Sequence, residues 1–244
     1  MQQRTVLVTG AARRIGAAIV RCLHEDGASV AIHCNHSVAD AERLKEELNV
    51  LRSGSAEVFT ADLTEYAALA PLIDKVVGWA GQLDCLVNNA SGFYATPLGD
   101  ITENEWHDLV GSNLKAPLFL SQAAWPHLRR RHGSIVNLVD IHAQRPMRQH
   151  VVYGTAKAGL AMLTRSLAKE MAPEVRVNGV APGAILWPED SLSETARNSI
   201  LRQIPLGRPG DPRDIASCVL YLVRDAIYVT GQIIAIDGGR SIGW

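Results

Sequence analysis

Two residues with acid–base side chains, Tyr153 and Lys157, lie four positions apart in the stretch YGTAK. In a helix this spacing places both side chains on one face. A lysine cation beside a phenol favours the phenolate and lowers the pKa of the tyrosine, so Tyr153 could donate a proton near neutral pH. Tyrosine and lysine at this spacing are common and usually inert. The hypothesis of a proton donor therefore depends on the residues and elements around the pair.

Two polar residues precede this pair at positions where they could take part in the same chemistry. Asp140 lies at the end of an apolar run, thirteen residues before Tyr153, and Asn113 lies in a long stretch with helical spacing. A carboxylate close to Tyr153 would oppose formation of the phenolate. Asp140 could equally cap the end of a strand or pair with a local arginine such as Arg145.

The elements that must position these side chains alternate along the chain. Seven short apolar runs, rich in β-branched residues, predict parallel strands that are buried on both faces. They cover residues 5–9, 28–34, 56–61, 83–88, 134–139, 175–180 and 232–236. Stretches with helical spacing lie between them, at residues 15–24, 39–51, 65–79, 103–130, 152–171 and 212–223. The alternation predicts an α/β fold: a single-domain, Rossmann-type, doubly wound seven-stranded parallel sheet over residues 1–244, with helices on both faces.

One segment interrupts this alternation. Residues 183–205 are polar, too long for a simple connection, and follow a predicted strand. In such a fold ligands bind at the carboxyl ends of the strands, and long loops there are often lids. We predict a substrate lid, with a poorly ordered surface loop as the alternative.

Composition and charge exclude several classes of function. Lysine and arginine total 24 against 25 acidic residues, a net charge of -1 that gives no reason to expect nucleic acid as a partner. Four cysteines without CxxC spacing argue against a metal site and suit a reducing cytoplasm. There is no signal-peptide pattern and no run of about 18 apolar residues, so we expect a cytoplasmic protein that does not span a membrane.

The first predicted strand runs into the sequence TGAARRIG at residues 9–16. Gly10 allows a sharp turn and Gly16 lets the next helix start close by, so amide N–H groups and the positive helix end can face a pyrophosphate. Arg14 stands where a third glycine could have been, and its guanidinium suits a bidentate contact with phosphate. We predict that Gly10, Arg14, Ile15 and Gly16 bind a dinucleotide. The alternatives are ordinary turn glycines and a solvated arginine.

The second predicted strand ends in HCNHS, with no Asp or Glu to accept a hydrogen bond from an adenosine 2′-hydroxyl. Asn35, His36 and Ser37 can instead donate hydrogen bonds to a 2′-phosphate, and Arg14 supplies positive charge nearby. The sequence therefore predicts NADPH rather than NADH as cofactor.

Two more strand ends are predicted to line the adenosine. Asp62 and Leu63 follow the third strand, where Asp62 could bind the adenine amino group. Asn89, Ala90 and Ser91 follow the fourth strand and would pass along the adenosine. Asp and Asn also favour turns for local reasons, so turn chemistry is the alternative.

Taken together, these motifs resemble those of the classical short-chain dehydrogenase/reductase family. They are TGxxxxxG at 9–16, NNA at 88–90, SNLKAP at 112–117, YxxxK at 153–157 and PG at 182–183, and they cover essentially the whole chain in order. The resemblance implies a catalytic set of Asn113, Tyr153 and Lys157, with Lys157 also holding the nicotinamide ribose. It further implies cofactor contacts after the sixth strand, at Pro182, Gly183 and Ile185.

One position departs from the usual pattern of this family. A serine that hydrogen-bonds a carbonyl substrate normally lies thirteen residues before the tyrosine, where this chain has Asp140. An ionised carboxylate cannot donate to a carbonyl oxygen, so reduction of a simple ketone is disfavoured. Reduction of a ring C=N bond needs a proton on nitrogen as hydride reaches carbon, and Asp140 and Tyr153 could relay that proton.

Within the family, the sequence is most similar to pteridine reductases. The shared features are TGAARRIG with Arg14, residues 35–37, NNASGFYATPL at 88–98, and Asp140 with Tyr153. The similarity implies that Phe93 lies over a pterin, that Arg14 and Ser91 reach the pterin edge, and that Tyr94 and Trp187 line the pocket mouth. The loop at 99–106 is shorter than in longer members, and ordinary loop packing is the alternative role for Phe93.

The predicted function is hydride transfer from NADPH to a pterin such as dihydrobiopterin, with dihydrofolate as a further candidate. The predicted catalytic residues are Asn113, Asp140, Tyr153 and Lys157. The alternatives are a reductase of 3-oxoacyl thioesters or other carbonyls, and a non-catalytic NADPH-binding sensor. The family resemblance also implies a homotetramer, formed through residues 103–130, residues 152–171 and the last strand, with Trp244 at an interface.

Overall fold

Seven parallel strands form the centre of the structure, a computed structural model that describes residues 1–185 and 193–242. The strands are β1 (Thr5–Val8), β2 (Ser29–Cys34), β3 (Ala56–Thr60), β4 (Cys85–Asn88), β5 (Ser134–Leu138), β6 (Arg176–Pro182) and β7 (Ile233–Ile236). Their order across the sheet is β3-β2-β1-β4-β5-β6-β7, and all neighbours are parallel. The direction of winding reverses between β3 and β4, which confirms the predicted doubly wound sheet.

Helices connect the strands close to the predicted places. They are α1 (Arg14–Glu25), α2 (Val38–Leu51), α3 (Tyr66–Ala80), α4 (Glu103–Val110), α5 (Ala116–Arg130), α6 (Val151–Glu170), α7 (Glu194–Arg202) and α8 (Pro212–Arg224). The prediction of one continuous helix over residues 103–130 is wrong in one respect, because a π-helical turn at Gly111–Lys115 separates α4 from α5. Such turns interrupt α-helices frequently at functional sites, and this one contains Asn113.

The core lies on both faces of the sheet, because alternate residues of a strand point to opposite sides. In β1, Val6 and Val8 pack into a cluster with α1, α2 and α8, while Leu7 packs into a second cluster with α3 and α5. All four residues of β1 are buried. This two-sided burial explains why the apolar runs of the sequence lack the polar alternation of a half-exposed strand.

Buried polar side chains link the sheet to α6. Asn88 of β4 donates to Oδ1 of Asn137 in β5 over 2.8 Å, and Asn137 donates to Oγ1 of Thr164 in α6 over 2.9 Å. The Thr164 hydroxyl donates to the carbonyl oxygen of Leu160 over 2.8 Å. Because a buried polar group without a partner is costly, this arrangement favours one position of α6 over β4 and β5.

The short helix α7 occupies part of the segment 183–205 that we predict to be a substrate lid. Its N-cap, Ser193, accepts a hydrogen bond from the amide of Ala196. None of the α7 residues is buried, so no apolar stripe in the sequence could reveal the helix. Residues 186–192, including Trp187, lie outside the described residues, as does Trp244, and the lid stays a prediction.

The described residues contain no helix that is both long enough and apolar enough to cross a bilayer.

Candidate active site

A crevice of about 560 Å³ opens where β1, β2, β3 and β4 end. It is lined by most of the predicted dinucleotide-binding residues: Gly10, Arg14, Ile15, Gly16, Asn35, His36, Asp62, Leu63, Asn89, Ala90 and Ser91. It is also lined by residues that the sequence analysis did not select: Arg13, His33, Thr64, Gly92, Asp108 and Ser112. The segments after four strands, together with residues at the end of α4 and in the π-helical turn, therefore converge on one binding surface.

The turn after β1 depends on glycine at two positions. Gly10 has a φ of +59°, and a Cβ atom there would lie 2.8 Å from Cα of Ala90. A Cβ atom on Gly16 would lie 2.3 Å from the carbonyl oxygen of Gly10. The side-chain Nδ2 of Asn89 donates to the carbonyl oxygens of Thr9 and Gly10 over 2.8 and 2.9 Å. These contacts hold the positive N-terminus of α1 at the crevice, where an anion can bind.

Arg14 has a left-handed backbone, with a φ of +52°, at the first residue of α1. A residue with a side chain pays about 1–2 kcal/mol for this conformation, whereas glycine adopts it freely. The position is the one where the sequence could have carried a third glycine. Because the Arg14 side chain lines the crevice, the backbone strain argues that its guanidinium has a function there.

Arg13 is a second cation of the crevice, and the sequence analysis missed it. Its Nε donates to Oδ2 of Asp40 in α2 over 2.5 Å, which ties the guanidinium to the first turn of that helix. Ser37 is the N-cap of α2, and its hydroxyl makes no capping hydrogen bond. The arginine therefore lies at the strand end that is predicted to bind a 2′-phosphate. The paired arginines in TGAARRIG were the available signal.

Asp62 forms a tight turn of its own at the end of β3. Its Oδ1 accepts hydrogen bonds from the amide and the hydroxyl of Thr64 over 2.9 and 2.7 Å. These bonds lower the pKa of Asp62 below its usual value. The turn chemistry that the sequence offered as an alternative is therefore present, and the adenine contact stays a prediction.

Tyr153 of α6 and Asp140, which follows β5, are in direct contact. The Tyr153 hydroxyl donates to Oδ2 of Asp140 over 2.7 Å, and Oδ1 of Asp140 accepts from the amide of His142 over 2.7 Å. Burial, followed by the charge and the hydrogen bond of Asp140, raises the pKa of Tyr153 above its ordinary value, and Ser91 opposes this rise. The expectation that Lys157 lowers the pKa of Tyr153 is thus wrong, whereas the expectation that Asp140 opposes the phenolate agrees with this shift.

Lys157 lies beneath the tyrosine ring rather than against its hydroxyl. Its Nζ is 5.7 Å from the ring centre of Tyr153 and donates to the carbonyl oxygen of Leu138 over 2.8 Å. The side chain is only 2% exposed. Burial lowers the pKa of Lys157 to about 8, although the charge of Asp140 works in the opposite direction. The predicted helix face is confirmed, and the lysine is poised to change its charge near neutral pH.

Asn113 contacts the loop after β4, where the nucleotide crevice meets the Tyr153 region. Its Nδ2 donates to the carbonyl oxygens of Gly92 and Leu109, each over 2.9 Å, and its Oδ1 accepts from the Ser91 hydroxyl over 2.7 Å. The π-helical turn gives Asn113 this position. In this structure its hydrogen bonds therefore position the loop at 91–92, and its predicted catalytic role is untested.

Phe93 lies next to Tyr153, and its predicted place over a pterin is untested. The centre of its ring lies 4.9 Å from the ring centre of Tyr153, in an edge-to-face contact. It also lies 4.9 Å from the ring centre of His150, on which it stacks with an interplanar angle of 23°. The side chain is nevertheless 55% exposed, so part of its surface remains open to a ligand. Tyr94 donates to Oδ2 of Asp108 in α4 over 2.8 Å, which holds it beside the crevice.

The segment after β6 reaches the same sheet edge. The amide of Gly183 donates to the carbonyl oxygen of Ile236 over 3.0 Å, and a Cβ atom on Gly183 would lie 2.6 Å from Cβ of Asp237. Ile185 is buried. Arg240, a partly buried cation, lies three residues after Asp237, and the charge of Asp140 acts on its pKa. Pro182, Gly183 and Ile185 thus lie at the end of β6, and their predicted contacts with the cofactor are untested.

Comparisons with known proteins agree with this geometry. A family model described as enoyl-(acyl carrier protein) reductase matches residues 10–241. Pteridine reductase 1 of Leishmania tarentolae is 36% identical, with 97% of this chain and 96% of that protein covered. The 3-oxoacyl-(acyl-carrier-protein) reductases of Staphylococcus aureus and Thermotoga maritima are 39% and 35% identical, with 97% and 99% of each chain covered. The chain belongs to the short-chain dehydrogenase/reductase family.

Short-chain dehydrogenase/reductases of this kind are oxidoreductases that use a nicotinamide cofactor, and the crevice supplies a place for its phosphates at the start of α1. Relatives with two different classes of substrate match the chain at similar identity over nearly its whole length. Overall similarity therefore establishes the family and the reductase class. The substrate has to be argued from individual residues.

The buried lysine generates a prediction about pH. Binding of NADPH should weaken above about pH 8, where Lys157 loses the charge that is predicted to hold the ribose. Because the Asp140 carboxylate raises the pKa of Lys157, Asp140→Asn should move this loss of affinity to lower pH. The measurement is a fluorescence titration with NADPH across this pH range. The control is the exposed Asp100→Asn, which should leave the profile in place, and a shift of the Asp140→Asn profile to higher pH would contradict the prediction.

Proposed function

We propose that this chain is an NADPH-dependent reductase of a pterin, with Tyr153 and Asp140 delivering the proton. The observation that carries the proposal is the 2.7 Å hydrogen bond from the Tyr153 hydroxyl to the Asp140 carboxylate. A carboxylate in this place cannot donate to a carbonyl oxygen, but a phenol and a carboxylate in contact can pass a proton to a ring nitrogen. The bound cofactor supplies the hydride.

The side chains around this pair suit a flat heterocycle. Phe93 offers an exposed aromatic surface within contact distance of the Tyr153 ring, and stacking on it buries apolar area of both rings. Ser91 lies between the nucleotide crevice and Asn113, so its hydroxyl can meet a polar edge of the substrate. Arg14 combines a positive charge with a strained backbone at the crevice, and this combination is expected of a residue that binds a ligand.

Lys157 has two roles in this proposal. Its ammonium group is fixed by the carbonyl oxygen of Leu138 and can donate further hydrogen bonds to ribose hydroxyls. Its charge also compensates the Asp140 carboxylate, so that the site keeps a carboxylate next to a buried phenol. Asn113 fixes the loop of Ser91 and Gly92, which lies between the proposed cofactor and substrate sites.

Discrimination in favour of NADPH is part of the proposal. The end of β2 carries Asn35, His36 and Ser37 without an acidic residue, and Arg13 and Arg14 add two positive charges. A carboxylate there would bind the 2′-hydroxyl of NADH and repel a 2′-phosphate, whereas guanidinium groups favour the phosphate.

Two other functions remain as outcomes of the tests. Reduction of a 3-oxoacyl thioester is favoured by the similarity to the bacterial 3-oxoacyl reductases and disfavoured by Asp140. An NADPH-binding sensor without turnover would not need a tyrosine, an aspartate and a lysine converging at the end of the same strand. We also propose a cytoplasmic location, because all four cysteines are free thiols.

The chain is further proposed to form a homotetramer, because large apolar side chains are exposed on the elements that the family resemblance assigns to interfaces. Trp125 of α5 and Met162 of α6 are both exposed. Leu206 and Ile242 are exposed near the last strand. Exposed apolar residues that share a surface mark sites of association.

The substrate proposal predicts the outcome of an assay of NADPH oxidation with dihydrobiopterin, dihydrofolate and acetoacetyl thioester. The pterins should be reduced, and Tyr153→Phe should lower kcat by about 10²-fold or more, because the proton donor is lost. The affinity for NADPH should change far less. Reduction of the thioester without reduction of pterins would favour the carbonyl reductase, and tight NADPH binding without any turnover would favour the sensor.

The cofactor proposal predicts that Arg13→Ala raises KM for NADPH about tenfold, the effect of one lost charge-assisted hydrogen bond, and leaves KM for NADH almost unchanged. Arg43 provides a matched control, since it also pairs with Asp40, at 3.2 Å, but does not line the crevice. Arg43→Ala should affect neither cofactor. An equal rise in KM for NADPH and NADH in Arg13→Ala would contradict a contact with the 2′-phosphate.

The assembly proposal predicts that light scattering will find four chains of 26.4 kDa in one particle. Met162→Lys should reduce the particle to smaller species, because a charge would be buried at the interface. Val50→Lys, at an exposed apolar position of α2 away from these elements, is the control and should leave the mass unchanged. A monomeric wild-type protein would remove the proposal without affecting the chemistry.

A further inference from the structure

His33, in β2, is buried and uses both of its ring nitrogens. The amide of Gly10 donates to Nδ1 over 3.2 Å, and Nε2 lies 3.1 Å from the carbonyl oxygen of Ala61. Because Nδ1 accepts a hydrogen bond and a carbonyl oxygen can only accept one, the proton of the ring must be on Nε2. Burial lowers the pKa of His33 to about 4, so the ring is neutral at physiological pH.

The place of His33 in the sheet gives these two hydrogen bonds a consequence. β2 lies between β1 and β3, and Gly10 follows β1 while Ala61 follows β3. The imidazole therefore connects the loops that leave two strands which are not themselves neighbours. One loop is the turn before α1, and the other leads directly into Asp62, and both line the crevice.

The main chain of His33 strengthens the same connection. Its carbonyl oxygen accepts a hydrogen bond from the amide of Ala11 over 2.8 Å. The amide groups of Gly10 and Ala11 are thus both bound to His33 and are not free for a phosphate. Amide groups at the start of α1, where Ile15 and Gly16 line the crevice, have to take that role.

We propose that His33 is a positioning residue for the dinucleotide, which fixes the turn at Gly10 relative to the loop at Asp62. The cofactor spans these loops, since its pyrophosphate belongs at the first and its adenosine at the second. A fixed distance between them lowers the cost of ordering the loops when the cofactor binds. The proposal rests on the binding of a nicotinamide dinucleotide and is independent of whether the substrate is a pterin.

His24 offers a matched control within the same chain. It is 4% exposed, against 2% for His33, and its Nε2 lies 2.7 Å from Oγ of Ser55. Burial lowers its pKa as well. His24 does not line the crevice. Substitution of either histidine by leucine removes a buried imidazole and its hydrogen bonds, so any difference in cofactor affinity comes from their positions.

The test compares His33→Leu, His33→Asn, His33→Gln and His24→Leu by Tm and by titration with NADPH and NADH. His33→Leu should raise the Kd of both cofactors by about tenfold and by the same factor, since both share the pyrophosphate and the adenine. The loss should fall on KM for NADPH rather than on kcat. His33→Asn keeps an acceptor near the position of Nδ1 and should recover most of the affinity, whereas His33→Gln, which keeps a group near Nε2, should recover less. His24→Leu should lower Tm and leave the Kd unchanged.

An unchanged Kd in folded His33→Leu protein, or an equal rise in Kd for His24→Leu, would overturn the proposal. If His33→Leu does not fold, the comparison of His33→Asn with His33→Gln decides, and wild-type affinity in both would equally overturn it. A selective loss of NADPH over NADH would also count against it, because that pattern belongs to a 2′-phosphate contact. Failure of the pterin assay would leave all these affinities measurable, so the two proposals fail separately.

Discussion

The hydrogen bond between Tyr153 and Asp140 imposes an electrostatic condition on the whole site. It keeps a carboxylate beside a phenol that is 4% exposed, and burial disfavours any charge on that phenol. The ammonium group of Lys157 lies close enough for the Asp140 charge to raise its pKa against the effect of burial. The carboxylate and the ammonium group therefore stabilise one another, and the tyrosine keeps its proton until a ligand changes the balance.

This arrangement survives only if α6 and the end of β5 stay in fixed positions, and several contacts far from the chemistry serve that need. Asn137 and Thr164 connect β5 to α6 inside the core. The carbonyl oxygen of Leu138 holds Lys157, and the amide of His142 holds Asp140. The nucleotide crevice is braced in the same way, by Asn89 from one side and His33 from the other. Rigid strand ends, rather than the loops themselves, set the geometry.

Local patterns in the sequence were sufficient for the fold and for much of the site. Two-sided apolar runs identified the buried strands, and the spacing of Tyr153 and Lys157 identified one face of α6. Features that depend on distances between remote segments were not accessible. The contact of Asn113 with Gly92, the bridge made by His33 and the ion pair of Arg13 with Asp40 each join residues whose proximity exists only in the folded chain. The same limit reversed the expected pKa shift of Tyr153, because burial and the contact with Asp140 outweigh any effect of Lys157.

Charge repulsion is the reason that the position of Asp140 bears on the choice of substrate. Reduction of a ketone builds negative charge on the carbonyl oxygen before the proton arrives. Two like charges about 4 Å apart repel by about 4 kcal/mol at an effective dielectric constant of about 20, which corresponds to a rate loss of about 10³-fold. A substrate that receives its proton on a ring nitrogen avoids this penalty. The carboxylate then stabilises the positive charge of the nitrogen that is being protonated in the transition state. Charge repulsion by Asp140 is therefore the argument for the proposed substrate, because overall identity to relatives does not distinguish the two classes.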